Sequence, residues 1–465
     1  MRHLIKLQEI SGERRDAVLY DTAASTLTWL DGTPVALAPL GTALQKGPMA
    51  VATPAVNGAA LPGRKSTHLR RINIQLGLTC NYSCSYCLQR HQPEGAAAHV
   101  DDVAVFMSKM DGWYDGGRDG KGAGTEIRFW GGEPFAYWKM LRPLGLAVAE
   151  RYPNARLAII TNGSILTPVI LDWLDECGIS IAISHDGPGQ HLRGPDPFDD
   201  PKRRENILKA YDRLSPNGRV SFNCVLTREH HDLSAIYDWF AERLEGRPLH
   251  LTTEGMVTPY HAEGVGTAPA WLDVGAISAR IASSIISGKG RAFGSVRTRL
   301  SEFHQSLVDG RRADSLGSKC GMERPDYIAV TLSGDVITCQ NVSTAATAPN
   351  GQSHVVGHVD QLDDVRLTTM TSWQYRDNCR KCPVVQLCKG NCSFLQDGMF
   401  AAACAASKSY ESAILAAALF FLTGMVPEQI ETIDDAAPAL ELRLSPLAPP
   451  KGDDQRGAWG SRHFS

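Results

Sequence analysis

Leu78-Thr79-Cys80-Asn81-Tyr82-Ser83-Cys84-Ser85-Tyr86-Cys87 is the stretch on which the fold turns. Its cysteines are spaced C-x3-C-x2-C and follow a strand-like run, Ile72 to Leu78, which puts them on a loop at the end of a strand. Three thiolates this close can converge on one metal centre and leave it one ligand short of four. Structural zinc asks for four ligands, and the run itself offers three cysteines. An iron left open in this way can bind a substrate.

Outward from this loop the chain becomes regular. Strand-like runs at Ile72 to Leu78, Glu126 to Trp130, Leu157 to Thr161, Ser180 to Ser184, Val220 to Val225 and Leu249 to Thr253 alternate with helical stretches. The helices are expected at Val103 to Tyr114, Tyr137 to Arg151, Pro168 to Glu176, Arg203 to Leu214 and Leu233 to Leu244, where apolar residues recur every three or four positions. Six β/α units in a row imply a parallel sheet with helices outside, too few for a closed eight-stranded barrel. The expectation is an α/β fold, a curled partial (β/α)6 TIM-like barrel over residues 71–254. Sites in such barrels lie at the carboxyl ends of the strands. Both the cysteine loop and a second motif, Trp130-Gly131-Gly132-Glu133-Pro134, fall there.

The cysteine run, with aromatic Tyr86 directly before its third cysteine, together with Gly131-Gly132-Glu133-Pro134, resembles the signature and GGEP motif of the radical S-adenosylmethionine (radical SAM) family. The resemblance implies that Cys80, Cys84 and Cys87 hold a 4Fe-4S cluster whose open iron takes the amino and carboxylate groups of SAM. It also implies that the Gly131, Gly132, Glu133 and Pro134 loop receives the SAM ammonium, with Glu133 fixing the loop. Thr161-Asn162-Gly163 closes the third barrel strand, and Ser184-His185-Asp186-Gly187-Pro188 resembles the S-x-D-G-P run of peptide-modifying members. On that basis Asn162, Ser184 and Asp186 are carried over as SAM contacts. His191 and Arg193 fall where relatives keep an H-x2-R-like pair, at a spacing one residue shorter.

A second cysteine block follows. Cys320, thirteen residues, Gly334, four residues and Cys339 precede Cys379-x2-Cys382-x5-Cys388-x3-Cys392 and then Cys404. This is similar to the seven-cysteine signature of the SPASM extension, a C-terminal cysteine-rich domain that holds two auxiliary 4Fe-4S clusters. The resemblance implies one auxiliary cluster on Cys379, Cys382, Cys388 and Cys404, and another on Cys320, Cys339 and Cys392. The position of the missing eighth cysteine is held by Asp326, a carboxylate candidate for the fourth ligand unless that place is open for substrate. Cys177 and Cys224 fit neither signature and are expected in the core.

At 465 residues the chain is long enough for two or three domains. They are expected as an N-terminal hairpin and linker segment (1–70), the barrel (71–254), a helical bridge (255–318), the SPASM domain (319–410) and a closing helix with a partly disordered tail (411–465). The hairpin, Ala17 to Tyr20 and Thr26 to Leu30, is expected to pack against the barrel; the Gly/Pro/Ala-rich sequence to Lys65 and around Gly264 to Pro269 reads as linker. A net charge of -3 gives no electrostatic case for nucleic acid or an anionic membrane. The longest apolar run, Ala413 to Leu422, is about half of a membrane span, and the N-terminus lacks a signal core. A cytoplasmic protein is expected, and twelve cysteines in a reducing compartment point to metal or redox chemistry rather than disulfides.

The resemblance implies an oxidoreductase that abstracts hydrogen from a ribosomally made peptide (as in RiPP biosynthesis) or a protein side chain, and that forms a crosslink or oxidised residue. It further implies a flavodoxin- or ferredoxin-type electron donor and leaves room for a leader-binding protein. The alternatives are an anaerobic sulfatase-maturing enzyme, which makes formylglycine, and a non-catalytic iron-sulfur electron-transfer scaffold. Sulfatase-maturing relatives place an aspartate after the cysteine matching Cys339; here Gln340 stands there and cannot take up a proton.

Overall fold

A computed structural model describes residues 1–37, 63–90, 92–95, 98–257, 272–367, 370–433 and 438–442. The linker around Gly264 to Pro269, most of the linker before Lys65 and nearly all of the tail from Asp434 lie outside them.

The barrel strands are β4 (Arg71–Gln75), β5 (Glu126–Trp130), β6 (Arg156–Thr161), β7 (Ser180–Ser184), β8 (Val220–Leu226) and β9 (Leu251–Met256), paired in parallel in that order. Between them run α1 (Asp102–Trp113), α2 (Trp138–Arg151), α3 (Pro168–Glu176), α4 (Pro201–Leu214) and α5 (Leu233–Arg243). The starts of the last three are written in the sequence. Thr167 accepts from the Ile170 N–H, Asp200 from Arg203 N–H and Asp232 from Ser234 N–H, each satisfying a helix-end donor. Pro168 and Pro201 occupy first-turn positions where no N–H is needed.

Strand side chains alternate between faces. Ile72, Ile74, Ile127, Phe129, Ile181, Ile183, Phe222 and Cys224 are buried in the main core. The intervening positions, aligned across the sheet by its register, are Asn73 and Arg128, then Gln75 and Trp130, then Ser184, Asn223 and Thr252. Parallel sheets are usually apolar on both faces. This one carries a polar inner face, as a surface that must receive a ligand would.

The sheet does not stop at the barrel. Strand β10 (Tyr327–Thr331) pairs in parallel with β4, and β11 (Asp335–Ile337) and β12 (Val355–His358) add antiparallel strands, giving nine strands in the order β12-β11-β10-β4-β5-β6-β7-β8-β9. The boundary expected at residue 319 is therefore crossed by one continuous sheet. Helices α6 (Val274–Ile286) and α7 (Gly294–Val308) form the bridge. Short helices α8 (Asp377–Arg380) and α9 (Val385–Cys388) carry cysteines, and α10 (Asp397–Thr423) closes the chain's helical part, starting before the expected segment 411–465.

The N-terminal hairpin forms as β2 (Arg15–Asp21) against β3 (Thr26–Trp29), but it is not alone. It belongs to a five-stranded antiparallel sheet, β14-β13-β1-β2-β3, in which β1 (Arg2–Glu9) pairs with β13 (Met425–Thr432), and β14 is Leu440–Glu441. Pro427, which has no N–H to give, sits where the β1–β13 register shifts. The expected packing against the barrel is replaced by packing on the bridge and the second cysteine block. The Tyr20 ring meets Phe303 edge-on at 5.6 Å, Ser25 bonds Ser306 at 2.9 Å, and Gln386 donates to the Thr22 carbonyl at 2.9 Å. Among the described residues no helix is long and apolar enough to cross a membrane.

Candidate active site

The loop after β4 is held by the backbone that follows β5. Gly132 N–H donates to the Gly77 carbonyl at 3.1 Å and Glu133 N–H to the Thr79 carbonyl at 3.0 Å. A Cβ on Gly132 would lie 2.3 Å from the Thr79 carbonyl oxygen and 2.5 Å from that of Leu78. That close approach, expected toward a ligand, is thus toward the cysteine loop itself.

Glu133 is fully buried. Its carboxylate accepts from Phe135 N–H at 3.1 Å, the Thr161 hydroxyl at 2.8 Å and Asn162 N–H at 2.7 Å. Burial pushes it up to about 7 against the opposing pull of these donors. The residue thereby ties β5 to β6, the fixing role expected of it. Pro134, buried beside it, opens the short turn that leads into α2. Asn162 reaches in the other direction: its amide donates to Asn81 Oδ1 at 2.8 Å, and Asn81 donates to Ser164 at 2.8 Å. Two residues that flank the first cysteine motif are therefore anchored to the end of β6.

Asp186 is also committed to protein groups. One oxygen accepts from Val225 N–H at 2.8 Å; the other takes the Tyr86 hydroxyl and lies 2.9 Å from Arg193 Nε. With 1% exposure, it fixes the residue immediately before Cys87. Ser184, half-buried at the end of β7, stays on the inner face beside Asn223. Arg193 turns inward to Asp186, whereas His191 is exposed, its ring 5.2 Å from that of His230.

Cys80, Cys84 and Cys87 come together within electrostatic reach of one another. Cys80 is exposed and the other two are partly so. The seven C-terminal cysteines separate into two groups. Cys339 lies with Cys320 and Cys392. Cys379, Cys382, Cys388 and Cys404 line a single cavity, with Phe400 and Lys408 in its wall. Burial pushes the Cys84 thiol up to about 11, and those of Cys339, Cys379 and Cys382 up to about 12. Ionised sulfur in such places needs a cation beside it, and a metal provides one. Donor set, cavity and spacing all fit iron-sulfur clusters. Cys177 and Cys224 are buried, as expected, in the core.

Asp326, expected as a candidate fourth ligand, is paired with Arg324 at 2.8 and 2.6 Å. The acid beside Cys320 is Glu323, which accepts the Ser318 N–H at 2.6 Å, while the Ser318 hydroxyl lies 3.6 Å from the Cys320 sulfur. The loop after Cys339 lies over the barrel. Gln75 donates to the carbonyls of Gln340 and Val342 at 2.8 and 2.9 Å, Trp130 to Asn341 at 2.9 Å, and Asn73 to the Gln340 side chain at 3.2 Å. No pattern near Gln75 or Trp130 announces this contact in the sequence; the only signal is the polar residues that alternate with apolar ones along β4 and β5.

Residues 74–257 match the family described as the radical SAM superfamily. They form a radical SAM domain. The cofactors of such a domain are a 4Fe-4S cluster and SAM, and the C-terminal cysteine block is consistent with a SPASM extension. The chain is 26% identical over 189 residues to the radical SAM cyclopropyl synthase TigE of Paramaledivibacter caminithermalis, covering 35% of this chain and 37% of that relative. The match thus spans little more than a third of the curated relative's length. Among solved structures, native anSMEcpe with bound AdoMet aligns with a TM-score of 0.53 at 15% identity, over 75% of this chain and 99% of that one. The same protein with bound AdoMet and Kp18Cys peptide also gives 0.53, at 15% identity over 76% and 99%. At these identities the likeness is one of fold.

Proposed function

We propose that this radical SAM protein is a maturase that removes a hydrogen atom from a ribosomally made peptide or protein side chain, leading to a crosslink or an oxidised residue. The observation that carries the proposal is the gathering of Cys80, Cys84 and Cys87 at the barrel mouth, with the Gln340 to Val342 loop of the second cysteine block bonded to β4 just inside it. When bound, a cluster on those three cysteines supplies one electron to the sulfonium of SAM and so releases a 5′-deoxyadenosyl radical.

The chain's own residues do the rest. Tyr86, Asp186 and Arg193 hold the loop before Cys87, while Asn81 and Asn162 hold it after Cys80. On the polar inner face Asn73 and Gln75 are taken up by the Gln340 to Val342 loop, and Glu254, which is exposed, is the group left to accept hydrogen bonds from a peptide backbone entering the mouth. Cys320, Cys339 and Cys392 are the proposed ligands of one auxiliary cluster, and Cys379, Cys382, Cys388 and Cys404 of the other. An external flavodoxin- or ferredoxin-type donor, and where needed a leader-binding protein, complete the system. A cytoplasmic setting suits the reduced thiols.

Formylglycine formation is disfavoured by Gln340, whose amide oxygen accepts from Asn73 and is too weakly basic to take up a proton. The reconstituted protein, held anaerobic with dithionite and SAM, is expected to form 5′-deoxyadenosine and to leave a sulfatase-derived Ser or Cys peptide unchanged. Absence of 5′-deoxyadenosine would turn the reading toward an electron-transfer scaffold. Robust formylglycine production would replace the crosslinking reading with sulfatase maturation.

A further inference from the structure

Arg376 stands just before α8, between the two groups of C-terminal cysteines. Its guanidinium reaches back across the chain. One nitrogen donates to the carbonyls of Gly390 and Cys392, both at 3.4 Å, and the other to those of Ser393 at 3.3 Å and Leu395 at 2.7 Å. Its planar face lies 3.8 Å from the centre of the Phe400 ring, the same ring that lines the four-cysteine cavity. It is within electrostatic reach of Cys392 on one side and of Cys379, Cys388 and Cys404 on the other.

The other cations near cysteines are differently placed; Lys65, near Cys320, faces the carboxylates of Glu323 and Asp326. Arg193, near Cys84, is neutralised by Asp186 at 2.9 Å, and Arg299 and Lys319, near Cys388, share Glu411 at 3.1 and 3.3 Å. Lys408 reaches Cys382 and Cys404, both of the four-cysteine group. Arg376, by contrast, bonds to carbonyl oxygens and a ring, so its charge is left to act on the sulfurs. A fixed, partly buried positive charge favours the more negative, reduced form of any redox group beside it, because the surrounding medium screens it weakly.

Building on the auxiliary-cluster reading above, we propose that Arg376 is a shared positioning residue that makes both auxiliary clusters easier to reduce, coupling their potentials through one charge. Its test is redox potentiometry with electron paramagnetic resonance on the fully reconstituted protein. Arg376→Gln, which keeps donors for the carbonyls and loses the charge, is expected to disfavour reduction about tenfold at each auxiliary site, about 59 mV for one electron. Arg376→Lys is expected to restore most of that shift, and Lys408→Gln to move only the four-cysteine site. The signal of the Cys80, Cys84 and Cys87 site is the internal control and stays where it is. If Arg376→Gln does not retain iron, Phe400→Leu carries the test: it keeps the charge but opens it to water, and a smaller fall at both auxiliary sites is expected.

Unchanged auxiliary potentials in the iron-loaded variants, or a shift in Arg376→Lys as large as in Arg376→Gln, would overturn the proposal. A wild-type protein that shows no auxiliary signals at all fails the cluster reading itself, which separates the two.

Discussion

The two cysteine regions solve opposite problems. Cys80, Cys84 and Cys87 lie on an open loop, and what fixes them is a set of polar ties from neighbouring strand ends: Glu133, Asn162 and Asp186. Cys379, Cys382, Cys388 and Cys404 are set among buried side chains, with Val384, Val385, Leu387 and Trp373 around them and cations close by. A site that admits a small polar molecule must leave a face to solvent and get its rigidity from directional bonds. A site that only holds and passes electrons can be closed. Under the proposed function, the first region sets whether chemistry starts, and the second what becomes of its product.

The sharpest way to break that division is to remove one ligand from each. Cys84→Ala is expected to lower 5′-deoxyadenosine formation by about a thousandfold or more while auxiliary signals persist. Cys382→Ala is expected to leave 5′-deoxyadenosine formation within about threefold and abolish peptide modification. Loss of SAM cleavage in both would show that the regions are not separable.

Stability should divide in the same way. Arg299→Met leaves fully buried Glu411 without its closest cation, a change that costs about 3 kcal/mol, and calorimetry of the folded protein should register it. Glu133→Gln strands one of three donors in the first region. It should cost about 2 kcal/mol and lower SAM cleavage without altering auxiliary potentials.

The smallest expected effect is on pH dependence. Burial holds His3 at about 4, with the N-terminal ammonium, Asp21 and Lys408 facing it. A histidine depressed in the fold contributes fully above its unfolded value near 6.5, and that contribution is lost as pH falls toward 4. At pH 5.5 the loss is about 1.4 kcal/mol relative to neutral pH. Melting curves of wild type and His3→Gln should converge by that amount, and parallel curves would contradict it.

The barrel was legible because its signals are local. Apolar alternation marked β5 and β7 to the residue, and Thr167, Pro168 and Asp232 announced their helices. Cysteine spacing carried the site in the same way, since each motif is short. What stayed hidden depends on distant partners. β13 carries Pro427 and directly follows a helix, and it becomes a strand because β1, more than four hundred residues earlier, accepts it. The pairing of Asp326 with Arg324, two residues before it, is likewise not stated by the sequence. Arg376 is one arginine in a polar run, and nothing in that run states that its side chain reaches Leu395.

The pairing of β1 with β13 has a consequence for how the protein is made. The first strand leaves the ribosome hundreds of residues before its neighbour exists, so the sheet that covers Gln386 and lies beside Cys382 is among the last parts to close. Until translation passes Thr432, β1 has only one of its two partners, and the five-stranded sheet is complete only when the two ends of the polypeptide are sewn together.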